Sequence, residues 1–303
     1  MRVIIAGNGD MARYICEEFT SAGHELVILT RSHKPDREWP GVTQFITDYT
    51  LPSLATALQD GEVLISTIGD MTQSYVEVSR NLIQACQQSP TCKRFIPSEF
   101  VGDIETYPDQ PGFYIRSREP IRKLLREQTD LEWTLVSVGW LCDYMVPVKN
   151  RYVKDVDPLC PLSLANGTMV IPGTGNEPVD FVWMRDIVKA LAKLVIAPVW
   201  EPYTLISAER SNWNTVARVI RDKYRPDLKI QHISLGQIVE TIRTSNDQDI
   251  VDVAQHQLLS ACHACSLPPD QVQAHKEKYF PGIRFRTLQD GLDEFDRDAA
   301  TIV

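Results

Sequence analysis

Through the first half of the chain, short apolar runs alternate with segments whose apolar residues recur at helical spacing. The runs Arg2–Ala6, 25–29, Val42–Ile46, 62–67, Arg94–Ile96 and 133–138 read as strands. Between them, 13–22, 51–58, 75–87 and 121–127 read as helices; in the third, Val78, Leu82, Ile83 and Cys86 share one face. Strand and helix in strict alternation predict an α/β fold, a Rossmann-type doubly wound parallel sheet with helices on both faces.

The pattern changes after about residue 143. Pro147, Pro158, Pro161, Pro172 and Pro178 cut the chain into shorter pieces. Strands are expected at 179–183 and 203–207, and helices at 185–195, 212–223 (with Ser211 as N-cap), 235–243, 249–265 and 269–279. The expected organisation is a dinucleotide-binding region over 1–155, with a returning strand near 203–207. A smaller α/β region over 156–303, at the C-terminal side, would close the cleft and bind substrate.

The first strand runs straight into Gly7-Asn8-Gly9-Asp10-Met11-Ala12 and then a helix. Each position has a mechanical task in a dinucleotide site. Gly7 allows a tight turn, Gly9 lets a diphosphate approach the backbone, and Ala12 lets the helix lie close to the strand. The helix N-terminus offers free N–H groups and the positive end of its dipole. The second strand ends in Thr30-Arg31-Ser32-His33-Lys34, with no carboxylate to hold a ribose 2′-hydroxyl. Arg31, Ser32 and Lys34 suit a 2′-phosphate, so NADPH/NADP+ is the expected cofactor. Thr67, Ile68 and Gly69 follow the fourth strand and should lie along it. Gln73 is expected to cap the next helix or touch the nicotinamide ribose. Pro97 and Ser98 follow the fifth strand, where a parallel sheet opens toward the nicotinamide.

Composition narrows the partners. The 303 residues carry a net charge of −9, which disfavours nucleic-acid binding. No apolar run approaches the roughly 20 residues that span a bilayer, so no membrane partner is expected. The first strand begins almost at once, leaving no room for a signal peptide. Seven scattered cysteines fit a reduced, cytoplasmic setting better than a disulfide framework. Cys262-His263-Ala264-Cys265 lacks a second ligand pair and sits within an expected helix, so no metal is expected. The six histidines show no catalytic spacing and read as surface or structural residues. A monomer or homodimer is expected.

Several blocks resemble one family. Lys93-Arg94-Phe95-Ile96-Pro97-Ser98-Glu99-Phe100 is similar to the KRF-(I/L)-PSEF-G block of isoflavone reductase-like and NmrA-like proteins, which are atypical short-chain dehydrogenase/reductases. Trp133-Thr134-Leu135-Val136 with Gly139-Trp140 resembles their sixth strand and the loop after it. Gly173-Thr174-Gly175 through Asp186-Ile187, and Gly282-Ile283 with Thr287-Leu288, resemble later segments, in the style of fungal members. Three departures stand out. Ala6 replaces the first glycine of the family's G-x-x-G-x-x-G, and Val101 precedes Gly102 where the glycine usually follows at once. The catalytic lysine of the reductases is matched by Arg118 or, on another alignment, Arg116.

The resemblance implies hydride transfer, which needs a proton donor. Tyr114-x-x-x-Arg118 echoes the Tyr-x-x-x-Lys of ordinary short-chain dehydrogenases. The cation would favour the phenolate and lower the Tyr114 pKa. Pro120 is tolerated only in a first helical turn, so the helix is expected to start too late to align the two. Glu99 is expected to hold its loop by accepting backbone hydrogen bonds. Phe100, Trp140, Cys142 and Tyr144 are candidates to line a pocket for an apolar small-molecule substrate. Three functions stay open: an NADPH-dependent oxidoreductase reducing a carbonyl or enone of an aromatic or polycyclic secondary metabolite, a non-redox isomerase, dehydratase or cyclase, and a cofactor-sensing regulator without catalysis.

Overall fold

A computed structural model describes residues 1–303. Its first half alternates strand and helix: β1 (Arg2–Ala6), α1 (Asp10–Ser21), β2 (Glu25–Thr30), β3 (Val42–Ile46), α2 (Leu51–Ala57), β4 (Val63–Ser66), α3 (Gln73–Gln88), β5 (Arg94–Ile96), α4 (Gly112–Glu127), β6 (Glu132–Trp133) and β7 (Leu135–Val138). The second half holds β8 (Trp140–Leu141), β9 (Leu162–Ser163), β10 (Thr168–Pro172), β11 (Val179–Val182), α5 (Met184–Leu194), β12 (Tyr203–Ile206), β13 (Glu209–Ser211), α6 (Trp213–Lys223) and β14 (Lys229–Ile233). Four helices complete the chain: α7 (Leu235–Thr244), α8 (Gln248–Ala261), α9 (Pro269–Tyr279) and α10 (Leu288–Arg297).

Six strands form a parallel sheet in the order β3-β2-β1-β4-β5-β6. The order reverses beside β1, which creates the crevice where doubly wound sheets bind ligands. The expected sixth strand is interrupted at Thr134. Glu132 and Trp133 pair with β5, whereas Leu135 to Val138 pair in parallel with β12. The buried Thr134 hydroxyl bonds that of Thr204 (2.8 Å) at the changeover. Ile5 and Val3 face one apolar layer with α1 and α5, and Ile4 and Ala6 face another with α2, α3 and α4. This split follows from the alternating faces of a strand. A third apolar cluster, built around Trp140, Phe181, Trp183 and Trp213, fills the second half.

Three local expectations are corrected. The helix expected over 121–127 begins at Gly112, and Pro120 lies inside it. Asn212, not Ser211, caps α6, its side chain accepting from Thr215 N (2.9 Å). The helix expected to contain Cys262 and Cys265 ends at Ala261, with His263 in the left-handed region (φ 69°) just beyond it. All seven cysteines are free thiols. No helix is long and apolar enough to cross a membrane.

One carboxylate ties the first helix to the second half. Asp143 is fully buried, accepting from the Tyr14 hydroxyl of α1 (3.1 Å) and from the Met184 N–H that opens α5 (2.8 Å). Burial pushes its pKa up to about 6, with the two hydrogen bonds opposing that rise. Because this lies above the unfolded Asp value of about 3.9, the stability Asp143 contributes is present below that value and lost as pH rises through 6. Urea unfolding should therefore show a loss of stability between pH 4 and 6 that is smaller in an Asp143→Asn variant.

Candidate active site

The turn after β1 leaves the sheet sharply. Gly7 sits at φ +112°, and a Cβ there would stand 2.9 Å from Thr67 Oγ1. Gly9 is the N-cap of α1 with no side-chain cap, and a Cβ on it would meet nothing within 4 Å. The first N–H groups of α1 are thus left for an external acceptor. Asn8 is buried, yet its Nδ2 has no partner within the protein. Ala12 is fully buried between helix and sheet, and Met11 lies partly against the same layer. An orphaned donor, an uncapped helix of twelve residues and an open glycine fit a diphosphate. Asp10 is held aside: its carboxylate accepts from Lys154 N (3.2 Å) and faces Arg37 (3.6 Å).

The basic loop after β2 folds back over this turn. Lys34 Nζ donates to Asn8 O (3.3 Å), and Arg37 donates to Asn8 O (3.0 Å) and Gly9 O (2.8 Å). Gln44 of β3 fixes the loop by bonding Lys34 N, Lys34 O and Arg37 O. Arg31 leans over the Tyr49 ring, 5.8 Å from its centroid, and is exposed like Ser32. Arg37 escaped the sequence reading, although it closes the same run of cations after Pro35.

Beyond β4, Thr67 N donates to Ala6 O (2.8 Å), so Thr67, Ile68 and Gly69 lie beside the glycine turn. Thr72, not Gln73, caps α3, accepting from Ser74 N (3.2 Å); Gln73 is exposed at the helix start. Beyond β5, Pro97 and Ser98 are buried, and Ser98 O accepts from Tyr75 OH (3.4 Å). Glu99 accepts no backbone bond. It makes a bidentate pair with Arg122 of α4 (2.9 and 2.7 Å), both side chains almost wholly enclosed. Phe100 follows in the left-handed region (φ 47°), an arrangement that stores backbone strain in a non-glycine residue.

These loops and α8 enclose a cavity of about 190 Å³ at the C-terminal ends of β4, β5 and β7. Phe100, Tyr114, Trp140, Tyr144 and His256 supply its rings, and aliphatic residues such as Leu141 much of the rest of its lining. A second cavity of about 660 Å³ adjoins it through Met71 and Leu159. Together they fall within the roughly 300–1,000 Å³ usual for small-molecule sites. Cys142 does not line either. It is fully buried in the second-half core, and burial pushes its thiol pKa far up. The reason is local. A strand would put 140, 142 and 144 on one face, but a 3₁₀ turn over Cys142–Met145 replaces it. Its three-residue period aligns Leu141 with Tyr144 instead.

Because α4 starts at Gly112, Tyr114 and Arg118 stand one turn apart on one face. The Arg118 guanidinium lies 5.0 Å from the Tyr114 ring centroid and 3.7 Å from that of Tyr75. It donates to Asp70 O (2.9 Å) and Ser117 Oγ (3.1 Å), and only 2% of the residue is exposed. Arg118 therefore backs the phenol and does not reach the cavity surface. Tyr114 lines the cavity, and its hydroxyl has no partner in the protein. Its pKa is raised, because burial outweighs the opposing pull of Arg118, a correction to the lowered value expected from the cation alone. His256 also lines the cavity, which the sequence did not signal. No group of three or more His, Cys, Asp or Glu side chains is placed to hold a metal ion.

This fold and the sequence place the chain in the NmrA-like family, whose profile matches residues 2–262. Over its whole length it is 58% identical to oxidoreductase swnR of Arthroderma benhamiae, with all of both chains covered. It is 24% identical to isoflavone reductase homolog A622 of Nicotiana tabacum over 97% of each chain. Among solved structures, AtPrR2 with NADP+ and (+)pinoresinol superimposes with a TM-score of 0.77 at 17% identity, covering 97% of this chain and 98% of that one. The ternary complex of leucoanthocyanidin reductase from Vitis vinifera gives 0.72 at 21% identity, covering 97% and 99%.

The turn itself is testable. Gly7→Ala would force a side chain into a positive-φ conformation against Thr67, a strain of about 1–3 kcal/mol. Thermal unfolding should show a lower Tm, and calorimetry a weaker affinity for NADP+.

Proposed function

We propose that this protein is an NADPH-dependent reductase of a carbonyl or enone carried by an apolar aromatic or polycyclic molecule. The observation that carries this reading is the partner-free Tyr114 phenol, backed by Arg118, in an apolar cavity on the sheet edge that also bears the uncapped start of α1. The full-length swnR relative, an oxidoreductase by name, and the NADP+-bound AtPrR2 neighbour support it.

In this reading Gly7, Asn8, Gly9 and the first turn of α1 hold the diphosphate. Arg31, Ser32, Lys34 and Arg37 receive the 2′-phosphate, while Thr67 to Gly69, Pro97 and Ser98 flank the path toward the nicotinamide. A bound NADPH would supply the hydride. The chain supplies the proton. Burial keeps Tyr114 protonated at neutral pH, so its O–H is available when negative charge builds on the substrate oxygen. The phenolate left behind faces the fixed positive charge of Arg118. Arg118 is thus a positioning and charge-balancing residue in place of a lysine. Phe100, Trp140 and Tyr144 exclude water and hold the apolar body of the substrate. A phenol and a guanidinium arranged in this way favour catalysis over a purely sensing role.

Arg31→Ala should weaken NADPH binding about tenfold or more while changing NADH binding much less, as read by calorimetry; equal losses would refute the 2′-phosphate assignment. Tyr114→Phe should lower NADPH-dependent turnover of an aromatic ketone such as 2-acetylnaphthalene about 10²-fold or more, with NADP+ affinity retained. A fully active variant would remove the phenol as donor.

A further inference from the structure

The cavity contains a second polar group that the reading above leaves without a task. His256 lies midway along α8 and lines the cavity. Its ring stacks on Phe113 (centroids 6.0 Å, 14° between planes) and meets Trp140 edge-on (4.9 Å, 74°). Phe113 in turn touches Tyr114 (4.9 Å). One phenylalanine therefore stands beside both the imidazole and the phenol.

The histidine is held firmly. Gly112, which opens α4, would clash with Gln255 of α8 if it carried a Cβ (2.9 Å). Trp140 Nε1 donates to Ser260 Oγ (3.1 Å) one turn further along α8. After α8, Ala264 O accepts from Asp103 N (2.7 Å). These contacts lock α8 onto α4, β8 and the loop after β5. The ring has rigid neighbours yet no hydrogen bond. Nδ1 is enclosed with no partner, whereas Nε2, also without a protein partner, is not enclosed, and the residue lines the cavity. Burial alone pulls the imidazole pKa down to about 4, with no carboxylate contributing, so the ring is uncharged at neutral pH. Buried donors are left unpaired more rarely than buried acceptors. That preference puts the proton on Nε2, the less enclosed nitrogen, and leaves Nδ1 as the bare acceptor.

We propose that His256 is a substrate-contacting residue whose Nε2–H donates a hydrogen bond to an oxygen of the bound substrate, as a second donor beside Tyr114. The proposal rests on the reductase reading and deepens it. The substrate then carries at least one oxygen acceptor on an apolar ring system, and that oxygen enters the part of the cavity lined by α4 and α8. Aromatic walls position the rings, and two uncharged donors on different helices select for the oxygen. A substrate of equal shape without oxygen would leave both donors unpaired in an apolar enclosure, which is how a buried polar site discriminates most strongly.

The test uses the full chain saturated with NADP+, so that no turnover occurs, and two probes of similar shape: 2-acetylnaphthalene, with a carbonyl oxygen, and 2-ethylnaphthalene, without one. Calorimetry should show wild type binding the ketone about tenfold or more tighter than the hydrocarbon. His256→Phe should cut that preference about three- to tenfold without changing NADP+ affinity, as loss of one uncharged hydrogen bond requires. His256→Gln, which keeps an N–H donor, should restore part of it. In ¹⁵N-histidine-labelled protein, the resonance missing from His256→Phe should shift on adding the ketone and not the hydrocarbon. A His256→Phe variant with the full wild-type preference, or a wild type that binds both probes equally, overturns the proposal and leaves the reductase reading standing. If NADP+ binds and neither naphthalene does, the apolar-substrate reading falls with it.

Discussion

Glu99 and Arg122 meet as two almost fully enclosed charges joined by two short hydrogen bonds, and the arrangement of the cavity follows from where they meet. Glu99 lies between Ser98 and Phe100 in the loop after β5, while Arg122 lies one turn beyond Arg118 on α4. A fork-to-fork pair fixes rotation as well as distance. It therefore sets the azimuth of α4, and with it the direction in which Tyr114 projects. Burying both charges costs desolvation, and an apolar replacement of similar volume is often as stable. Removing one partner alone leaves an uncompensated charge, at a cost of about 3–5 kcal/mol. Such a pair contributes more to specifying a position than to net stability. Here the position specified is that of the phenol.

Much of this architecture was legible in the order of residues. The parallel sheet announced itself because β1, β2 and β4 are largely apolar runs buried on both faces, and β1 leads at once into a glycine turn and an amphipathic helix. The start of α4 was not legible. Pro120 argued for a late beginning, yet the residues before it, including the buried Ser117 and Arg118, had enough tertiary contacts to extend the helix back to Gly112. Burial of that face overrode a local rule.

The second half was harder to read for a related reason. β8, β9 and β13 are only two or three residues long, too short for a period to show. β10 and β14 pair across some sixty residues, a match that no local pattern encodes. α10 escaped notice although its capping box, Thr287 with Asp290, is plain once seen. Within the site, the glycine turn and the basic loop were visible because phosphate chemistry demands particular residues at particular spacing. His256 and Arg37 were not, because each acquires its surroundings only through folding: Phe113 and Trp140 around one, the carbonyls of Asn8 and Gly9 around the other. Cys142 shows the opposite error: it was a pocket candidate because it follows the sixth strand, yet the 3₁₀ turn over Cys142–Met145 carries its side chain into the second-half core.

Arg118 has no carboxylate among its hydrogen-bond partners. Two tyrosine faces, a hydroxyl and a main-chain oxygen surround its guanidinium. A guanidinium remains ionised throughout the range in which proteins stay folded. The floor beneath the phenol is thus a constant source of positive potential, insensitive to acidity, and any pH-dependence of this chamber must originate in side chains that can exchange a proton.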